Sequence, residues 1–361
     1  MDAMNFYRMF FAVPPERLRI LLLIDGFGMN LFEKEGHNLW LNEYFFEENR
    51  SVYPSTTAVA LSSLASLRDP GELGVTGWTT WLPNRKSLIQ VLTLEEPEAS
   101  ITNETLLVPS ALGKTGVRMV HPRPYLQKPY MGWTTGLGRA KSYGYSIEQE
   151  NHWARVTEEV VMESKAGELL YVYLPMIDSS SHFDRWDGEK TARILRTIDH
   201  NLESLFTALT RWSKSYHIPI EFAITADHGL LNVPPDRYFT LEDTSPWLKH
   251  LECSISGEGR NPIFHVRPGR EELFYQSFFE SPESEHFYLM TPEELIQAGL
   301  FGPKGISDAA RPRWGTYVGL AHDVVYLEDI TQGQKSKNFA AVHGGNHKDE
   351  RRVPLFQGAI E

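Results

Sequence analysis

A single cysteine, Cys253, stands in 361 residues, so neither an intrachain disulfide nor a cysteine-rich zinc site can be built. Any metal held by side chains must then use histidines and carboxylates. Positive charge is also in deficit: 35 Lys and Arg against 47 Asp and Glu leave a net charge of -12. That balance argues against a protein that coats nucleic acid, because such binding is driven by clustered cations. A small phosphorylated substrate stays compatible, since bound cations dominate the field inside a site. No run approaches the roughly 18 consecutive apolar residues of a membrane span. The opening "MDAMNFYRMFFAVPPERLRILLLIDG" has an acid at position 2 and no small-residue cleavage site, which makes a poor signal peptide. A cytoplasmic protein with a reduced thiol is therefore expected. Low-complexity tracts are lacking, and "GWTT", at 77–80 and 132–135, recurs without any repeat around it.

What the chain does have is a substantial apolar content, 41%, enough to bury a large core in one domain spanning 1–361. Short runs rich in β-branched and aromatic residues predict buried strands: "LRILLLI" (18–24), "ELLYVYL" (168–174), "IEFAIT" (220–225) and "NFAAV" (338–342). Helical patterns lie between them, including "TAVALSSLASL" (57–67) and a long amphipathic stretch at 189–212 with Ile194, Ile198, Leu202, Leu205 and Leu209 on one stripe. Strands alternating with helices imply an α/β fold with a mostly parallel sheet covered on both faces. Two regions break the alternation, about 80–150 and about 235–320, and read as insertions forming a cap. Within the second, "TPEELIQAGLFG" predicts a helix capped by Thr291, with Pro292 at its first position and Glu294 closing a capping box.

Position singles out the chemistry. Asp25 directly follows the first strand, Asp178 follows the second after three residues, Asp227 and His228 follow the third after one, and His343 follows the fourth at once. In open parallel sheets ligands bind beyond the carboxyl ends of the strands, where these residues would converge. The stretch "MIDSSSHFD" adds His182, four residues after Asp178 and on the same face if the segment is helical. Read singly, each has a structural account: Asp25 as a turn former, Asp227 as a cap, His343 as a loop histidine bonded to a carbonyl. In isolation an Asp-x-x-x-His spacing is weak, because 47 acids and 13 histidines produce such matches by chance. Together, a crowd of carboxylates is unfavourable unless cations sit among them, and the mixture of Asp and His suits two zinc-like ions. "SVYPSTTAVALSSL" (51–64) places Ser55, Thr56 and Thr57 at a helix start. Taken alone they read first as an N-cap cluster, yet a hydroxyl there also lies beside free amides that attract phosphoryl oxygens.

In this order, "LIDGFG", "YPSTTAVALSSL", "MIDSSSHFD", "TADHGL" and "HGGNHKDERRVPLF" resemble the alkaline phosphatase superfamily, and within it the prokaryotic nucleotide pyrophosphatase/phosphodiesterase-like branch. The motifs span about 18–358. The resemblance implies an alkaline-phosphatase-like three-layer sandwich with an inserted cap. It also implies a phosphoester hydrolase working through a covalent phosphothreonine at a two-metal site. Thr57 aligns with the nucleophile, with Thr56 the near miss. Asp25, Thr57, Asp227 and His228 would hold one divalent ion, and Asp178, His182 and His343 the other, zinc being expected and manganese the alternative. His347 competes for the last position but is left at the rim. The implied partner is a small phosphorylated substrate, nucleotides included. Two departures stand out: Ala60 where eukaryote-like relatives carry a phosphoryl-binding Asn, and Leu73 where many carry His. Within the superfamily, a phosphonate hydrolase or phosphomutase is the alternative activity. A sulfatase is disfavoured because no Cys/Ser-x-Pro-x-Arg frame occurs at the nucleophile, and a non-catalytic metal protein is disfavoured by a spare hydroxyl beside the ligands.

Overall fold

Alternation along Leu18–Ile24 decides the layering. Leu18, Ile20, Leu22 and Ile24 pack on one side of the sheet with Leu195, Ile198, Leu202 and Leu205 of the Glu189–Tyr216 helix. Leu21 and Leu23 pack on the other side with Val59 and Leu64 of the Thr57–Ser66 helix. Side chains that alternate across a fully buried strand require cover on both faces, and the result is a three-layer α/β sandwich. The computed structural model describes residues 2–12, 14–93 and 105–361.

The central sheet has seven strands in the order Phe45–Arg50, Arg352–Ile360, Ile220–Thr225, Leu18–Ile24, Leu169–Leu174, Val117–Pro122 and Lys141–Tyr145. From Ile220–Thr225 onward all neighbours are parallel. Arg352–Ile360 runs antiparallel to both of its neighbours, and its register with Phe45–Arg50 shifts between Leu355 and Phe356. Among the described residues, no helix is long and apolar enough to cross a membrane.

Two sequence expectations need correction. "NFAAV" does not join the central sheet, because Asn338 takes a left-handed φ of 50° that breaks the run. Only Ala341–Val342 is extended, paired antiparallel with Leu231–Asn232 in a two-stranded ribbon. The stretch 80–150 is also not wholly an insertion, since Val117–Pro122 and Lys141–Tyr145 extend the central sheet. The pattern of the first is masked by Arg118, a buried charge held by Glu168 at 2.8 Å and the Tyr143 hydroxyl at 2.8 Å.

Strands from both irregular regions come together in one second sheet of six strands. Thr79–Leu82 and Ser87–Gln90 from the first region join Ser256–Glu258, Asn261–Phe264, Phe287–Met290 and Tyr317–Ala321 from the second. Trp247, Phe264, Phe274 and Phe278 fill its separate core. Thr291 caps the Pro292–Gln297 helix with the capping box to Glu294 that the sequence predicts.

Candidate functional site

Strand ends deliver the acids. Asp25 leaves Leu18–Ile24 and donates its N–H to the carbonyl of Leu174 at 2.9 Å, while its own carbonyl accepts the Asp178 N–H at 3.1 Å. Gly26, at φ 76°, turns the chain away with the Asp178 backbone packed against it, a conformation that suits only a residue without Cβ. The Asp178 and His182 side chains then project from one face of the Met176–Asp184 helix, 3.3 Å apart. Asp227 and His228 sit in the turn after Ile220–Thr225, where Asp227 Oδ1 accepts the N–H groups of Gly26 at 3.2 Å and of His228 at 3.1 Å. His343 arrives from the short ribbon and shares its Nδ1 with the Ser55 carbonyl at 3.2 Å.

The structure brings together all seven residues singled out from the sequence. Thr57 Oγ1 lies 3.0 Å from His228 Nε2 and 3.5 Å from Asp25 Oδ1. Asp25, Asp227 and His228 form one compact ligand group, and Asp178, His228 and His343 form a second, so His228 lies at the junction of the two. His182 is outside both groups but reaches the second through Asp178, whose other oxygen is 3.5 Å from His343 Nε2. His347 is elsewhere: its Nδ1 accepts the Asp349 N–H at 3.2 Å and caps the Lys348–Arg351 turn.

Electrostatics divides the site in two. Burial, then the proximity of Asp227 and Asp178, pushes the Asp25 carboxyl well above its ordinary range, despite the hydrogen bond it accepts from the Tyr173 hydroxyl. Asp227 is also pushed up by burial, against the pull of His228. Asp178 behaves oppositely: burial opposes its charge, but His182, and then His343 and His228, hold it below the usual carboxylate range. Burial works against the His182 charge, yet Asp178 wins and lifts the imidazole to about 9. His343 is pushed well below its ordinary value by burial and by neighbouring His228.

Divalent ions fit this donor set. Asp178 Oδ1 and Asp227 Oδ2 are buried and accept no hydrogen bond, a costly state for carboxylate oxygens that a cation relieves. The two ligand groups each combine imidazole nitrogen with carboxylate oxygen, the mixture suited to zinc-like ions.

Both groups open onto a cavity of about 360 Å³. Trp78, Tyr125, Tyr130, Tyr326 and Phe339 line it, with Lys128 and Lys337. Trp81 and Trp133, from the same aromatic-rich stretch, are instead packed in the interior. Glu258, which no sequence motif marks, lines the cavity and accepts the Thr56 hydroxyl at 2.5 Å and the Trp78 N–H at 2.6 Å. Burial raises its carboxyl to about 7. Glu258 lies far from the strand ends in sequence, and its pairing with Thr56 depends on the second sheet folding over the first.

Comparison with known proteins follows the same lines. A family model described as type I phosphodiesterase / nucleotide pyrophosphatase matches residues 19–346. Among solved structures, an inactive variant of murine ectonucleotide pyrophosphatase/phosphodiesterase 5 in complex with AMP aligns with a TM-score of 0.71 at 13% identity, covering 94% of this chain and 87% of that one. Human ectonucleotide pyrophosphatase/phosphodiesterase 5 aligns with a TM-score of 0.69 at 14% identity, with the same coverage of 94% and 87%. A search of curated proteins finds no match. At these identities the structures speak for a shared alkaline-phosphatase-like fold, whereas the family match runs over nearly the whole chain. The protein belongs to the type I phosphodiesterase / nucleotide pyrophosphatase family, and is a hydrolase acting on phosphoester bonds.

Proposed function

We propose that the chain hydrolyses a phosphodiester or pyrophosphate bond of a small nucleotide-like substrate, with Thr57 as nucleophile and a covalent phosphothreonine as intermediate. One observation carries this reading. The Thr57 hydroxyl is the first side chain of a buried helix and stands within 3.5 Å of both Asp25 and His228, beside two groups of metal-ligating side chains.

Asp25, Asp227 and His228, with Thr57, would hold one divalent ion, and Asp178, His182 and His343 the other. Bound there, such ions supply Lewis acidity, which neutralises phosphoryl charge and makes the Thr57 hydroxyl easier to deprotonate. The chain supplies placement. Free amides at the start of the Thr57–Ser66 helix offer donors and the positive dipole end to the phosphoryl oxygens, a role that suits a chain with Ala60 at the position where eukaryote-like relatives carry Asn. Thr56 is pinned by Glu258 and turns its hydroxyl to that carboxylate, leaving Thr57 as the residue aimed at the ligand groups. The aromatic cavity lining supports a planar organic group on the substrate, and the AMP complex of the murine neighbour favours a nucleotide.

The test pairs wild type with Thr57→Ala on a nitrophenyl phosphodiester and on a dinucleoside polyphosphate, with zinc and manganese supplied separately. Thr57→Ala is expected to lose at least about 1,000-fold in kcat while keeping its metal, and acid quenching of the wild type should trap phosphate on the peptide carrying Thr57. Full turnover by the alanine variant would reject the nucleophile.

A further inference from the structure

Arg260 and Glu350 form an ion pair with no solvent exposure on either side chain, Nε to Oε1 at 2.7 Å and Nη2 to Oε2 at 3.1 Å. A pair so deeply buried contributes little net stability once the loss of hydration is counted, which directs attention to its other bonds. Glu350 Oε1 also accepts the Gly345 N–H at 2.9 Å, and Oε2 accepts the His347 N–H at 3.0 Å. The Glu350 backbone carbonyl accepts the Gly229 N–H at 2.8 Å. One residue thus grips the loop that follows His343 and the turn that carries His228. Arg260 is fixed in turn, its Nη1 donating to the carbonyls of Asp323 at 3.0 Å and Val325 at 2.8 Å.

The loop rests directly against the pair. A Cβ on Gly345 would lie 2.9 Å from Glu350 Oε2 and 3.3 Å from Arg260 Nε. On its far side, the Gly345 carbonyl accepts the Ser55 hydroxyl at 2.8 Å, two residues before Thr57. A continuous path of polar contacts therefore runs from the second sheet, through Arg260, Glu350 and the 343–347 loop, to the start of the nucleophile helix.

We propose that Arg260 and Glu350 are positioning residues: Arg260, in the second sheet, fixes Glu350, which holds the His343 loop and the His228 turn in ligating geometry, while neither residue touches substrate or metal. The inference rests on the metal-ligand reading given under Proposed function. A merely structural pair would matter only to folding.

The two roles separate in the double variant Arg260→Met/Glu350→Leu, which removes both charges together and strands neither, while also removing the acceptors for Gly345 and His347. Wild type and variant would be stripped of metal and compared by thermal melting, by amide exchange of the 343–347 peptide, and by calorimetric titration with zinc. Steady-state kinetics on a nitrophenyl phosphodiester completes the set. The expected result is a folded double variant in which exchange of that peptide rises and zinc affinity falls, each by about 10-fold or more, and kcat drops by a similar factor with KM little changed. A folded double variant with wild-type exchange and zinc affinity overturns the proposal. If the double variant does not fold, Arg260→Lys decides, because it keeps the charge and loses the two-pronged geometry: a several-fold rise in exchange supports the proposal, and wild-type behaviour overturns it. Exchange in the metal-free protein reads the pair alone, and zinc binding by the wild type reads the ligand site, so the two can fail separately.

Discussion

His228 and His343 lie face to face, ring centroids 3.7 Å apart and planes 17° from parallel, although one follows a central strand and the other a ribbon outside the sheet. Such stacking is tolerable where at least one ring is neutral, and His343 is held neutral by burial and by His228 itself. The pair marks the seam between the two ligand groups, with Asp25 and Asp227 on one side and Asp178 on the other.

That seam predicts an asymmetry in the metal-free protein. Asp25 and Asp227 both have raised pKa values, so their ionisation works against folding: the folded state is favoured while they are protonated, and loses stability as pH rises above the ordinary carboxylate value. Asp227→Asn keeps the oxygen that accepts the Gly26 and His228 amides and removes one charge. At pH 8 in chelator it should melt higher than wild type by roughly 1–3 °C, while losing the rise in melting temperature that zinc gives the wild type. A lower melting temperature than wild type in chelator would count against charge crowding. Asp178→Asn should go the other way, because it removes the partner of His182.

Much of this was legible in the chain. Asp25, Asp178, Asp227 and His228 follow strands whose limits are visible as short, largely apolar runs, and Thr57 opens a helix that its own pattern predicts. Before His343 the apolar pattern overstates the strand, which exists only as Ala341–Val342, beyond the left-handed Asn338. What sequence could not show was long-range pairing. Arg118 disguises a central strand because its charge is satisfied by Glu168 and Tyr143, and Glu258 and Arg260 meet their partners only when the second sheet docks. Arg352–Ile360 hides for local reasons: Pro354 and Gly358 interrupt its apolar pattern, yet nine residues pair along it.

Metal binding should release a proton from His182. Its Nδ1 lies 2.8 Å from the Ala341 carbonyl, so Nε2 is the nitrogen left for a ligand, and Asp178 raises the imidazole to about 9 in the metal-free state. The ring is thus charged at pH 7.5 and must become neutral to ligate. Calorimetric zinc titrations in buffers of different ionisation enthalpy should show about one proton more released by wild type than by His182→Gln. Equal release from both proteins would mean that His182 is already neutral.

Acid should weaken the second sheet through His265. Buried beside Ser256, with Nε2 2.9 Å from its hydroxyl, this imidazole is lowered by burial to about 4. A depressed histidine pKa means that the unfolded chain binds the extra proton first. The contribution is intact above about 6.5 and is lost as pH falls toward 4, on the order of 3 kcal/mol in all. Urea midpoints of the metal-free protein should fall across that window, and His265→Gln should flatten the slope. A slope unchanged by the substitution would place the acid sensitivity elsewhere.

Substrate preference can be read from Phe339, which packs against His182 at 4.6 Å between ring centroids with the planes tilted by 35°, and lies under the Lys337 ammonium at 5.4 Å. Both Phe339 and Lys337 line the cavity beside the second ligand group, where an organic arm of a phosphodiester would pass. Phe339→Leu keeps most of the volume and removes the flat π face. An aromatic contact of about 1 kcal/mol corresponds to roughly five-fold in affinity, so KM for a dinucleotide substrate should rise by about that factor. KM for a diester carrying only methyl groups should stay where it was, because that substrate has nothing to stack. Equal changes for both substrates would instead mean that the ring acts by holding His182 in place, and zinc affinity would then fall along with turnover.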